Sequence, residues 1–268
     1  VHAWQALVLG LVEGLTEYLP VSSTGHLLVT QRLLGIEASE AANAFAVFIQ
    51  GGAIMAVLLL YWRRILSMLL GVVGRDPAGL RLAVSVGVAF LPFAIMGFLF
   101  DDLIEGYLFG ALPVAIAWAV GGVLILYVSP RLAPGGAPLD HVPLRAAVII
   151  GLCQCAALWP GVSRSFATIL GAIAAGLSLA AAVEFSFLLG LLTLGIATVY
   201  KLLDGGEAML QAYGAGAMAI GFVAAWLSAM LSVVWMVNWL QRRPLAVFGW
   251  WRIGAAIVVV AMIALGRL

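Results

Sequence analysis

The chain has 268 residues, of which 65% are hydrophobic and only 9% charged, with a net charge of +1 and a mean hydropathy of +1.16. Soluble domains carry roughly 25% charged residues, so this chain has too little charge to cover a soluble surface and reads as a protein solvated by lipid. The balanced charge gives no electrostatic case for a nucleic-acid partner, and there is no basic arm or acidic tail.

A hydrocarbon core of about 30 Å takes about 20 apolar residues of helix. The first apolar stretch, residues 3–19, falls short of that and is interrupted by Glu13 and Glu17. It also lacks the basic start of a signal peptide. Pro20 ends it. Val21-Ser22-Ser23-Thr24-Gly25 then supplies three hydroxyls and free backbone N–H groups, and a second half-helix, residues 25–34, carries His26 in its first turn. Full spans are expected at residues 44–62, 82–100 and 109–128. Residues 129–140, rich in Pro and Gly, link two halves of about 1–130 and 141–268. A second interrupted stretch, residues 146–177, breaks at Trp159-Pro160-Gly161 and reopens at Ser163-Arg164-Ser165. Spans at 184–202, 213–239 and 247–265 complete the chain. Broken helices at membrane depth survive where protein or a watery cavity satisfies their backbone. The expected fold is therefore all-α: one polytopic membrane domain with about six transmembrane helices and two re-entrant helical hairpins.

Arginine distribution sets an expected orientation. Arg63, Arg64, Arg75 and Arg81 follow the first full span, Arg131 and Arg145 the third, and Arg242 and Arg243 the fifth. The other side carries Asp101, Asp102, Glu105, Asp204 and Glu207, the first three in a solvated loop. The positive-inside rule makes the arginine loops cytoplasmic, so the two hairpins enter from opposite faces. That opposition suggests inverted repeats. Aligning Glu13 with Gln154 also pairs Gly10-Leu11 with Gly151-Leu152, Val21-Ser22 with Val162-Ser163, and Thr24 with Ser165. Cys153 and Cys155 read as two small buried thiols. Glu184, at the start of a span, reads as a local cap or pair. Trp235, Trp239, Trp250 and Trp251 read as interfacial belt residues.

Two constellations carry chemistry. Glu13 and Glu17 lie four apart, on one helix face. Like charges there are costly, so one is protonated, a cation or base sits between them, or they act as polar glue between helices. The Ser22–Gly25 segment opens a half-helix whose N-terminus suits an anion, and capping by Ser23 or Thr24 is the plainer use. In the second constellation, Gln154 to Thr168, Arg164 is a permanent cation with a donor fork suited to phosphate. It needs an anionic partner, either Glu13 or Glu17 or a ligand phosphate. Together the pieces suit phosphoryl transfer. Glu13 and Glu17 could hold a divalent cation, Mg2+ or Ca2+. Arg164 and the N–H groups could stabilise the transferred group. Ser23, His26 or a water activated by His26 could attack.

At these residues the sequence resembles the undecaprenyl-diphosphate phosphatase, or bacitracin-resistance, family. The most specific parts are EGLTEYLPVSSTGHL from Glu13 to Leu27 and WPGVSRSFATI from Trp159 to Ile169. Supporting parts are Gln50-Gly51-Gly52, Tyr61-Trp62-Arg63-Arg64, EFSFLL from Glu184, and Trp251-Arg252. The resemblance implies a multi-pass enzyme of the bacterial plasma (inner) membrane. It would remove the terminal phosphate of undecaprenyl diphosphate for cell-wall synthesis, with a divalent cation. Its acidic pair maps to Glu13 and Glu17, its hydroxyl–histidine motif to Ser22, Ser23, Thr24 and His26, and its arginine motif to Ser163, Arg164 and Ser165, with Thr168 after it; Gly25 and Gln154, inside the two constellations, are further candidates for substrate binding. The expected partners are a polyprenyl diphosphate and membrane lipids, with a homodimer as an option. Two positions depart from the family pattern, Phe166 for Gly and Leu192 for Pro, and Phe166 is expected to reshape the pocket beside Arg164. The rival readings are a polyprenyl-phosphate flippase and a non-catalytic lipid-binding homologue.

Overall fold

Lipid offers a backbone no hydrogen bonds, so long apolar runs must close their own as helices. The computed structural model follows that rule throughout residues 2–37, 39–132 and 135–268, which it describes. Side chains at 101, 102, 105, 204 and 205 lie outside the description, and with them the settings expected for Asp101, Asp102, Glu105 and Asp204.

Helices α1 (Ala3–Thr16) and α2 (Ser23–Leu33) form the first hairpin. Next come α3 (Glu40–Leu60), α4 (Trp62–Val72), α5 (Pro77–Leu108) and α6 (Ala111–Val128). Helices α7 (Leu144–Gln154) and α8 (Arg164–Ala174) form the second hairpin, before α9 (Leu179–Leu240) and α10 (Ala246–Ala264). Six stretches among the described residues are long and apolar enough to span a membrane: Glu40–Leu60, Pro77–Phe100, Ala111–Arg131, Leu179–Leu203, Gly206–Leu240 and Ala246–Ala264. They coincide with the six expected spans apart from shifts at their ends. Large apolar side chains such as Leu91, Phe98, Val120, Leu231 and Ile257 stay exposed on them, as a lipid-facing surface requires.

The long run α9 doubles back. Gly214 (φ 71°) breaks it, and Thr198 and Phe222 on either side of the break both approach Gly51 of α3. Helix α1 lies against the returning arm with almost no space between. A Cβ at Gly10 would meet the Gly221 carbonyl, and one at Gly14 would meet Ser228 and the Ala225 carbonyl.

The structure corrects several sequence expectations. Of the four arginines after the first span, Arg63 and Arg64 lie in helix α4, with Leu66, Leu69 and Val72 exposed along it, and Arg81 lies in α5. The loop expected at 101–105 is helical backbone: α5 breaks at Phe100 (φ −124°, ψ 15°) and continues to Leu108. Cys153 and Cys155 are free and half-buried rather than buried. Glu184 pairs at long range, with Arg64 at 2.9 Å, while Arg64 also reaches Asp140 at 2.8 Å. That pairing gathers the start of α4, the segment before α7 and the start of α9.

Candidate active site

Each hairpin turns through a serine in an unusual conformation. Ser22 (φ 72°, ψ 100°) and Ser163 (φ 74°, ψ 117°) are the two non-glycine residues with positive φ among the described residues. They pair in the register that sets Glu13 against Gln154. Each caps the helix that follows, Ser22 accepting from the Gly25 N–H at 3.4 Å and Ser163 from the Phe166 N–H at 3.3 Å. Capping therefore falls to Ser22, not to Ser23 or Thr24, and leaves the Ser23 hydroxyl for other work. A left-handed serine costs about 1–3 kcal/mol, which surrounding contacts must offset.

The tips meet. Arg164 contacts Glu17 at 3.1 Å and donates to the Ser186 carbonyl at 2.8 Å. Ser23 donates to the other Glu17 oxygen, and Ser165 donates to the Leu19 carbonyl at 2.9 Å. The Arg164 Nε has no hydrogen-bond partner among the described residues, so the guanidinium keeps donor capacity. These groups open onto a cavity of about 130 Å³ lined by Glu17, Ser22, Ser23, Thr24, Ser163 and Arg164, together with Gln50 and Thr193. A cation, a carboxylate and a hydroxyl hydrogen-bonded to that carboxylate thus share one small polar space. Such a set can hold an anion and remove a proton.

The remaining expected site residues lie elsewhere. Glu13 is fully buried one turn behind Glu17 and does not line the cavity. Both its carboxylate oxygens lack a hydrogen-bond partner among the described residues. An unpartnered carboxylate beside Glu17 fits the donor chemistry of a divalent cation. Gln154 is buried off the cavity, and its amide is likewise unpartnered. Thr168 is a brace, bonded to the Arg164 carbonyl and to Ser186. Ser165 ties the tips together, and Gly25 packs where a Cβ would overlap Trp118.

His26 faces a different space. Its Nδ1–H donates to the Ser22 carbonyl at 2.7 Å, and its Nε2 accepts from the Trp251 Nε1–H at 3.0 Å. The ring packs on Trp118 and lines a separate apolar cavity of about 650 Å³. Both ring nitrogens are thus engaged away from Glu17 and Arg164, and Trp251 is a partner of His26 rather than a belt residue alone. Phe166 also turns away. It is buried, with the Arg252 guanidinium 5.0 Å from its ring centre, and it does not line the polar cavity. Leu192 packs against the main core.

Sequence reasoning from charge and spacing missed Gln50, Thr193, Ser186, Gly190 and Arg252. A Cβ at Gly190 would overlap the Arg164 guanidinium, so glycine there makes room for the arginine. Signals existed for three of them, since Gln50, Ser186 and Arg252 lie in the supporting motifs quoted above. Ser186 meets Arg164 through its backbone carbonyl, which no side-chain pattern announces, and Thr168 through its hydroxyl.

The sequence matches known proteins along nearly its whole length. A family model described as bacitracin resistance protein BacA matches residues 6–258. The chain is 45% identical over 261 residues to an undecaprenyl-diphosphatase of Sorangium cellulosum, covering 96% of this chain and 85% of that one. It is 43% identical over 258 residues to undecaprenyl-diphosphatase 1 of Chromobacterium violaceum, covering 96% and 94%. It is 42% identical over 258 residues to undecaprenyl-diphosphatase 2 of Rhodospirillum rubrum, covering 96% and 93%.

Proposed function

The chain belongs to the bacitracin resistance protein BacA family, and from that membership we propose a reaction for the cavity between its hairpin tips. It is a membrane phosphatase that hydrolyses undecaprenyl diphosphate to the monophosphate and phosphate, recycling the carrier lipid. The contact set Ser23–Glu17–Arg164 carries our reading of the site. Arg164 grips the terminal phosphoryl oxygens, exchanging part of its pairing with Glu17 for the substrate. Glu17 takes the Ser23 proton, and Ser23 Oγ attacks the terminal phosphorus. The anhydride P–O bond breaks and undecaprenyl phosphate leaves. Glu17 passes its proton to the departing undecaprenyl phosphate and, ionised again, takes a proton from the water that attacks the phosphoserine; the Ser23–phosphorus bond breaks, phosphate leaves and Ser23 recovers its proton from Glu17. Ser22, Thr24 and Ser163 line the cavity and orient the diphosphate. His26 serves as a support for α2, because both its nitrogens are bonded elsewhere.

The cofactor in this reading is a divalent cation, Mg2+ or Ca2+. Glu13 and Glu17 would hold it, and it would supply Lewis-acid stabilisation of phosphoryl charge. In this reading the protein works in the bacterial plasma (inner) membrane, where the carrier lipid would be recycled. The test is phosphate release from undecaprenyl diphosphate by purified protein in detergent. Ser23→Ala and Arg164→Ala are each expected to lower the rate by about 10²-fold or more, the scale for losing a group that stabilises transition-state charge. A chelator is expected to lower it reversibly. An unchanged rate in either variant would sink the site assignment, and an unchanged rate with chelator would remove the cation.

A further inference from the structure

Arg252, on α10, is fully buried. No carboxylate pairs with it among the described residues. Its fork is spent on backbone carbonyls instead. Nε donates to the Trp118 carbonyl at 3.4 Å. One terminal nitrogen donates to Pro20 at 3.2 Å and Val162 at 2.9 Å, and the other to Ala117 at 2.9 Å and Gly161 at 2.8 Å. Pro20 belongs to the first hairpin tip, Gly161 and Val162 to the second, and Ala117 and Trp118 to α6. The Phe166 ring lies against the guanidinium at 5.0 Å. Gly121 leaves the space, since a Cβ there would overlap the fork. Burying a cation costs several kcal/mol, and well-packed apolar side chains often serve stability as well or better. Packing alone therefore gives no reason for a guanidinium here.

The peptide geometry supplies one. In a planar trans peptide the C=O and the following N–H point in opposite directions. Arg252 draws the Val162 carbonyl toward itself, which turns the Ser163 N–H the other way. Ser163 lines the polar cavity, and its φ of 74° is the strained conformation that this arrangement needs. Arg252 thus stands one peptide behind the cavity wall and sets which way that wall presents its donor. The same fork holds Pro20, so the tip carrying Arg164 and the tip following Glu17 share one brace.

We infer that Arg252 is a positioning residue for the phosphoryl site: it locks the two hairpin tips in register and presents the Ser163 N–H to the anion held by Arg164. The inference rests on the phosphatase reading above. Its effect falls on transition-state charge more than on initial lipid binding, because the lipid tail's contacts with the bilayer do not depend on it.

The experiment compares wild type, Arg252→Lys, Arg252→Met and Gly121→Ala as purified full-length protein, with kcat and KM for phosphate release and a thermal melt for each. Lysine keeps the charge but presents three flexible donors in place of a planar fork. Both Arg252 variants are expected to lose about 10²-fold in kcat, the scale for one misplaced oxyanion donor. KM is expected to stay within about threefold of wild type, with a cooperative melt retained; Gly121→Ala should shift kcat the same way through displacement of the fork. Full rescue of kcat by lysine would overturn the inference, as would losses that fall on KM alone or follow only the folded fraction. If Arg252→Met gives no monodisperse protein, Arg252→Lys and Gly121→Ala decide by the same criteria. A wild type that releases no phosphate would overturn the phosphatase reading itself; an active wild type with unchanged variants would overturn the inference alone.

Discussion

Glu17 is the residue on which the site turns. One of its oxygens meets Arg164 and the other accepts from Ser23, so it both orients the cation and can accept the proton of the attacking hydroxyl. Gly190 shows how tightly the arginine is placed. Gly190→Ala sets a methyl group against the guanidinium and is expected to lower phosphate release about tenfold or more with a small change in melting temperature; a rate equal to wild type would mean that the Arg164 position is not critical. Phe166 makes an opposite case. Its ring is buried against Arg252 and off the cavity. Phe166→Gly is therefore expected to destabilise by about 3–5 kcal/mol, the range for losing a buried aromatic ring, and not to raise turnover. A faster Phe166→Gly enzyme would revive the view that this residue obstructs the pocket. From sequence, Phe166 looked like such an obstruction because it follows Arg164 closely in the chain. Along a helix, however, positions two apart point to different sides, and here that difference sends arginine to the cavity and phenylalanine to the core.

The hairpins were the most legible elements. Pro20, Pro160 and Gly161 marked their breaks, and hydroxyl clusters marked the restarts. The serine conformations and the caps were less accessible, since Ser22, Ser23 and Thr24 offer the same chemistry and only the backbone decides which one caps. His26 lies off the polar cavity for a reason the spacing does not show. Three residues beyond Ser23 it should share that face, but its bond to the Ser22 carbonyl and its packing on Trp118 draw the ring toward α6 and α10. Helix α4 escaped notice because its arginines resemble a loop, while its exposed leucines show only in the folded chain. Helix packing carries its own test. Gly14→Leu is expected to disrupt the fit of α1 against α9, lowering stability and activity together, because its side chain would meet backbone. Gly195→Ala, with open space around it, is expected to add roughly 0.5–1 kcal/mol by improving the helix. Thermal melts of both check this; equal effects would contradict the packing described for α1.

At the scale of the molecule, six apolar spans form a scaffold whose outer surface is hydrocarbon and whose few buried ionic groups converge near two hairpin tips. Composition alone made Glu13, Glu17 and Arg164 expensive in lipid. The fold offsets that cost by pairing Glu17 with Arg164 and by bonding Arg252 to carbonyls from both tips and α6. The span count and the presence of costly charges at the hairpins were readable in the sequence because hydropathy and charge are local properties. The brace by Arg252 was not, since its partners are backbone atoms up to 232 residues away. A transporter would need two aqueous compartments to show its activity, whereas bond cleavage needs none. The most direct measurement is therefore phosphate release from undecaprenyl diphosphate in detergent, comparing purified wild type with Glu17→Gln. Wild type should release one phosphate for each undecaprenyl phosphate formed, and Glu17→Gln should be slower by about 10²-fold or more, as for loss of a general base. A wild type that binds the lipid without cleaving it, or a Glu17→Gln variant as fast as wild type, would contradict the account.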